Sequence, residues 1–259
     1  MNLTDSHVLK FMRGSPIFLG DDICAVYPAK MGEIVDLGYD KFQQYLGVLT
    51  SGKPVVKKKG DKEFAKLLDQ LTDFQYLLLL CTMDKEMNNL VRGAFQFFTH
   101  ETEITFSLDP AQIVIGPLEE KHIIDEENYA DFQHLLRRMY FLEQEGEDIQ
   151  INKNDNPAIV RLKKQMLENR EKVRRAKAAK AAREKTDMQL SDLIGSMTLN
   201  NCNLNMVNIW DITYYAFHDQ LKRMGWRDQF DINNRAALAG AKIKKDQLKH
   251  WMRSIADSK

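Results

Sequence analysis

Six histidines and three cysteines are the side chains with which this sequence could hold a metal ion or make a nucleophile. A zinc site needs Cys and His at short spacings so that four ligands converge. His7, His100, His122, His134, His218 and His250 form no HExxH, and none has a neighbouring cysteine. The nearest approach is Glu119-Glu120-Lys121-His122 with Asp125 and Glu126. It reads as acids gathered at a helix start, where the backbone dipole favours them. Cys24 and Cys81 sit in strand-like and helix-like apolar runs, the setting of packed thiols rather than reactive ones. Cys202, between Asn201 and Asn203, has no basic neighbour to lower its pKa. Asp21-Asp22 belongs to a tight turn, where Asp is expected for its own hydrogen bonding. No GxSxG, GxGxxG or GxxxxGK[ST] occurs, so a nucleophile elbow and a phosphate cradle both lack their glycine frame. The expectation is a non-enzyme with no catalytic residue, no metal and no cofactor.

The elements around these residues fall into three regions. Over residues 1–155, short strand and helix patterns mix. Ile17-Phe18-Leu19 and Ile23 to Tyr27 flank a turn cluster, which predicts a hairpin. Met31 to Leu49 and Phe64 to Cys81 carry helical apolar spacing, and Asp84 and Asp125 suit helix N-caps. Ile104 to Leu108 and Gln112 to Ile115 predict a second hairpin, joined by His122-Ile123-Ile124. Residues 156–187 form a Lys/Arg/Ala-rich stretch without glycine and with Pro157 at its start. Eleven basic and three acidic side chains lie between Arg161 and Lys185, although the whole chain is neutral. An exposed helical spacer is expected there, about 43 Å long from Pro157 to Lys185 at 1.5 Å per residue. Residues 188–259 read as an all-helical module. The fold class is thus predominantly α with small β-hairpins in the N-terminal part (α+β), and all-α in the C-terminal part.

In that last module Trp210, Tyr214, Phe217, Leu221 and Met224 recur at alternating spacings of four and three, one helical stripe. Gly225 is expected to break the helix before a second amphipathic run from Phe230 to Ala241. His250-Trp251 is expected to seal the module, with the indole over Ala236 and Ala237. The stripe and Trp251 are candidates for core or for partner contact, and core is the first reading. The basic stretch, with Arg174, Arg175, Lys177, Lys180 and Arg183, could bind nucleic acid through phosphates. It holds no aromatic residue to stack on bases, so a solvated spacer is the stronger reading and nucleic acid is disfavoured.

No apolar signal core precedes Lys10, and the longest apolar block, Leu77 to Cys81, is far shorter than a membrane span. Reduced thiols in a cytosol and no membrane contact are expected.

A resemblance adds to these readings. Trp210-Asp211-Ile212, Tyr214-Tyr215-Ala216-Phe217, Lys222-Arg223-Met224, Phe230-Asp231-Ile232, Ala239 to Lys242 and His250-Trp251-Met252 resemble the tail assembly chaperones of phages and prophages of Gram-positive bacteria. So does the N-terminal layout of Ile23 to Pro28, Met31 to Ile34, Gly38-Tyr39 and Phe74 to Leu80. The resemblance implies a chaperone that binds the tape measure protein and keeps it soluble while the tail tube assembles. The tail-tube protein and further copies of the chain would be secondary partners. It further implies a place in the host cytoplasm and absence from the mature virion. A structural or tail-completion virion protein, or a nucleic-acid-binding accessory protein using the basic helix, is the alternative. Exposed apolar stripes and twelve methionines suit capture of an amphipathic helix.

Overall fold

The computed structural model describes the chain except residues 1–2, 21–22, 53–69, 118–120, 143–155, 157–158, 164, 167–168, 170–171, 173–188, 201–202, 244–249, 251 and 253–259. Its contacts divide the chain into two compact units. The first is Met1–Glu143 with Met206–Trp251, and the second is Gln144–Asn205 with Met252–Lys259.

In the first unit, helix α1 (Asp5–Arg13) starts at Thr4, whose hydroxyl lies 2.9 Å from Nδ1 of His7, and ends at Gly14. Strands β1 (Ile17–Gly20) and β2 (Ile23–Val26) pair antiparallel with Ile17 opposite Val26, the hairpin that the turn cluster between two β-prone runs predicts. Helix α2 (Met31–Leu37) is capped by the Glu33 carboxylate, which accepts from the Lys30 N–H at 2.7 Å. Helix α3 (Tyr39–Thr50) follows. Helix α4 (Asp73–Met83) begins at Thr72, and helix α5 (Lys85–Thr99) at Asp84, whose carboxylate accepts from Glu86 and Met87. Part of the expected Phe64 to Cys81 helix lies outside the described residues.

Strands β3 (Ile104–Leu108), β4 (Ala111–Ile115) and β5 (His122–Ile124) form an antiparallel sheet in that order, with Ile104 opposite Ile115 and Ile113 opposite Ile124. Helix α6 (Glu126–Met139) is capped by Asp125, as its position before an apolar-periodic run predicts. The core centres on Phe42, whose ring lies 5.4 Å from Tyr140, 5.5 Å from Tyr214 and 6.3 Å from Phe98. Small antiparallel sheets in the N-terminal part and a helical C-terminal part make this an α+β fold.

The second unit is sparsely described. Helical backbone covers 159–163, where Ile159 and Leu162 are exposed. Helix α7 (Leu190–Asn200) buries Ile194 and Met197 and leaves Leu199 almost fully exposed. Arg174, Arg175, Lys177, Lys180 and Arg183 of the basic stretch lie outside the described residues, as do Trp251 and Cys202.

This grouping differs from the three-part division read from composition. Residues 206–251 join the N-terminal elements because the chain between Ile209 and Phe217 has its backbone and side-chain partners there. A 3-10 turn (Ile209–Asp211) leads into a short antiparallel bridge between Thr213 and Lys30. Around it, the Met31 N–H donates to Ile212 O and the Tyr214 N–H to Ala29 O, both at 2.9 Å. Gly32 packs closely here: a Cβ on it would meet the Trp210 carbonyl oxygen at 3.2 Å. Helix α8 (Tyr214–Leu238) then runs for 25 residues, with the Thr213 hydroxyl accepting from the Ala216 N–H at 3.1 Å as its cap.

Gly225 does not break α8. The helix passes through it because one glycine costs a helix only about 1 kcal/mol, less than the packing on its N-terminal side supplies. A Cβ added to Gly225 would meet nothing within 4 Å. Gly225→Ala is therefore expected to raise stability by about 0.5–1 kcal/mol, read as a higher midpoint in urea. A lower midpoint would mean that α8 is not continuous in solution.

Candidate partner-contact surface

The stripe read from the sequence divides on burial. Phe217 is fully buried and Tyr214 is buried beside Phe42 and Tyr140. Leu221 and Met224 are half-buried. Trp210 is half-buried as well, with its indole N–H donating to Met206 O at 2.7 Å. Leu221 and Trp210 are thus less covered than the expected core: Leu221 lies at the margin of the packed part of α8, and Trp210 in the 3-10 turn before it. The bland reading holds for Tyr214 and Phe217: they are core. His250, beside Trp251, places its ring 5.2 Å from Phe230.

The opposite side of the same half of α8 is buried too. Tyr215 stacks on Phe141 at 4.6 Å and lies 5.3 Å from Phe11 of α1. Asp219 is only 4% exposed, and one of its oxygens accepts from Arg223 at 2.8 Å. Its other oxygen and the His218 Nε2 are buried without a hydrogen-bond partner among the described residues. The His218 ring lies 4.1 Å from Tyr214 and 6.0 Å from Phe141, and burial holds its pKa down at about 4. Sequence reading weighed His218 only as a metal ligand and passed over Asp219, since neither belongs to the spacing of four and three. The signal was their position between two aromatic faces of one helix.

A pH prediction follows from that imidazole. Unfolded, His218 takes up a proton near the ordinary pKa of 6.5, whereas the folded protein resists until about 4. The unfolded state therefore binds more protons in that window, and stability falls as pH drops from about 6.5 to about 4. The loss should reach at most about 3 kcal/mol. His218→Leu is expected to flatten this limb of a pH-stability curve measured by urea melts. An unchanged slope would show that carboxylates alone set the acid response.

Two of the other titratable groups named from the sequence, Cys24 and Cys81, are packed away. Burial pushes the Cys24 and Cys81 thiols up to about 12, so neither is a thiolate near neutral pH. Asp125 is occupied as a helix cap, and no group of three or more His, Cys, Asp or Glu able to hold a metal ion occurs among the described residues. Nor is any helix among them long and apolar enough to cross a membrane.

Beyond Gly225, α8 changes character. Arg227, Asp228, Gln229, Asp231, Ile232, Asn234, Arg235 and Leu238 are exposed, whereas Trp226, Phe230, Asn233 and Ala237 are half-buried. The latter four recur at spacings of four, three and four, a second stripe on a helix whose root is in the core. Residues 180–256 match the family model of the YomV second domain. The YomV second domain is a phage-type domain. Neither the curated proteins nor the solved structures contain a match to the chain. The YomV-like segment covers all of α7 and α8, so its match spans both the core-filling half of α8 and its projecting half. Trp226 was not singled out from the sequence. The spacing that links it to Phe230 could have found it, but the expected break at Gly225 cut that stripe at its start.

Proposed function

We propose that this chain is a non-enzymatic phage tail assembly chaperone that binds the tape measure protein and keeps it soluble during tail-tube assembly. The observation that carries this reading is the division of α8 into a half rooted in the core and a half that projects with an apolar stripe only partly covered. A projecting helix of this kind offers one side for helix-in-groove or helix-on-helix capture. The phage-type YomV segment supports the setting. In this reading the tail-tube protein and further copies of the chain are secondary partners. The protein acts in the host cytoplasm and leaves before the particle is finished.

Co-expression with the cognate tape measure protein tests the proposal. The soluble yield of the tape measure protein should rise, and affinity capture of either chain should recover the other. The complex should persist in moderate salt, because apolar contacts are not screened as exposed charges are. Retention of the full chain in purified virions at fixed stoichiometry, with no change in tape measure solubility, would replace the reading with a structural tail role.

A further inference from the structure

The end of α6 meets the root of α8 at a turn held in an uncommon conformation. After Met139, the Phe141 N–H donates to Arg138 O at 3.5 Å and the Leu142 N–H to Arg137 O at 2.8 Å. Phe141 takes a φ of 55°, the left-handed region that suits glycine and is disfavoured for an aromatic residue. Stacking on Tyr215 at 4.6 Å offsets that cost. The same ring lies 6.0 Å from His218, whose other aromatic neighbours are Tyr214 and Phe217. Those two are core residues, whereas Phe141 is half-buried and Leu142 exposed. Phe141 is therefore the outermost of the three rings around an imidazole whose Nε2 is buried without a partner among the described residues.

The charged and titratable groups that act on the tyrosines of this junction are Asp5 of α1, Glu33 of α2, Tyr39 of α3, Arg138 of α6, and Asp219 and Arg223 of α8. None of them shifts His218, which burial alone holds neutral down to a pH of about 4. Lys222, one turn further along α8, lies over the Trp226 ring.

We propose that the Phe141 turn is an acid-opened latch: when His218 takes up a proton, Phe141 swings off α8, water reaches Nε2 and the chain after α6 is freed, while α8 keeps its seat. An imidazolium without an acceptor needs water, and the ring around it that moves most readily is the least buried one. Phe141 also regains an ordinary backbone conformation on leaving. The bridge from Thr213 to Lys30 and the contact of Tyr215 with Phe11 do not involve Phe141, so they hold α8 in place. This device is independent of the chaperone reading.

Amide hydrogen exchange of the full chain at pH 7 and pH 4, corrected for the intrinsic pH dependence of exchange, tests the latch. Exchange at the Leu142 amide should rise by on the order of a hundredfold, since the ring binds a proton near pH 4 when covered and near 6.5 when open. The amides of Met31 and Tyr214, bonded to Ile212 O and Ala29 O, should stay protected. His218→Leu should abolish the rise. Phe141→Gly, which suits the backbone and removes the cover, should move the His218 titration followed by NMR up by at least about one pH unit. Circular dichroism checks that each variant folds; should Phe141→Gly not fold, the His218→Leu comparison decides alone. Protection lost at Met31 and Tyr214 together with Leu142 would overturn the latch, because the acid response would then be global unfolding. An acid rise that persists in His218→Leu, or a His218 titration unmoved in folded Phe141→Gly, would overturn it as well.

Discussion

Deleting residues 206–259 is expected to unfold the N-terminal part of the chain rather than release it as a stable domain. The sequence reading sets residues 1–155 apart as one region, and the packing does not leave them self-contained. Ile209, Tyr214, Tyr215 and Phe217 are all buried in the first unit. At about 2 kcal/mol for each apolar side chain withdrawn, the deletion removes about 8 kcal/mol. A whole domain is stable by only about 5–15 kcal/mol. The deletion also leaves the Met31 N–H and the Ala29 carbonyl without their partners, and takes the Thr213 hydroxyl from Met12 O. Heating the truncated chain should show no cooperative transition by circular dichroism, or one far below that of the full chain. A two-state transition at the same temperature would mean that 206–251 is a passenger on a self-sufficient core.

Phe217→Ala is expected to cost about 3–5 kcal/mol, the range for a fully buried aromatic side chain whose cavity collapses only partly. Phe217 stands edge-on to His218 at 5.2 Å, on the side of α8 that carries Tyr214. Its loss should therefore loosen the root of the helix as well as the core. The urea midpoint should fall with the slope unchanged. Phe217→Leu should lose less, since it keeps much of the volume. A variant within about half a kcal/mol of the parent would place Phe217 on a surface.

Some elements were legible because their cause is local. Asp84 and Asp125 cap helices for the reason their positions suggested: a short carboxylate before an apolar-periodic run reaches the first unsatisfied N–H groups. The hairpin of Ile17–Gly20 with Ile23–Val26 follows from two β-prone runs around a turn cluster. Tyr214 and Phe217 were legible as members of one stripe, but their destination was not. Periodicity states which face is apolar, never which distant segment covers it.

The sequence by itself determined the α+β class, the hairpins, the helix starts at Asp84 and Asp125 and the compositional break at residues 156–187. Each depends on residues within a turn or a strand of one another. Tertiary structure alone decided that α8 is rooted among α1, α2, α3 and the end of α6. The bridge from Thr213 to Lys30 and the Tyr214 contact with Phe42 join positions more than 170 residues apart. It also decided that Gly225 lies inside a continuous helix, since packing at one end outweighs the weak local preference of a single glycine. The half-covered stripe from Trp226 to Ala237 depends on that continuity, because a broken helix would not hold those four residues in line.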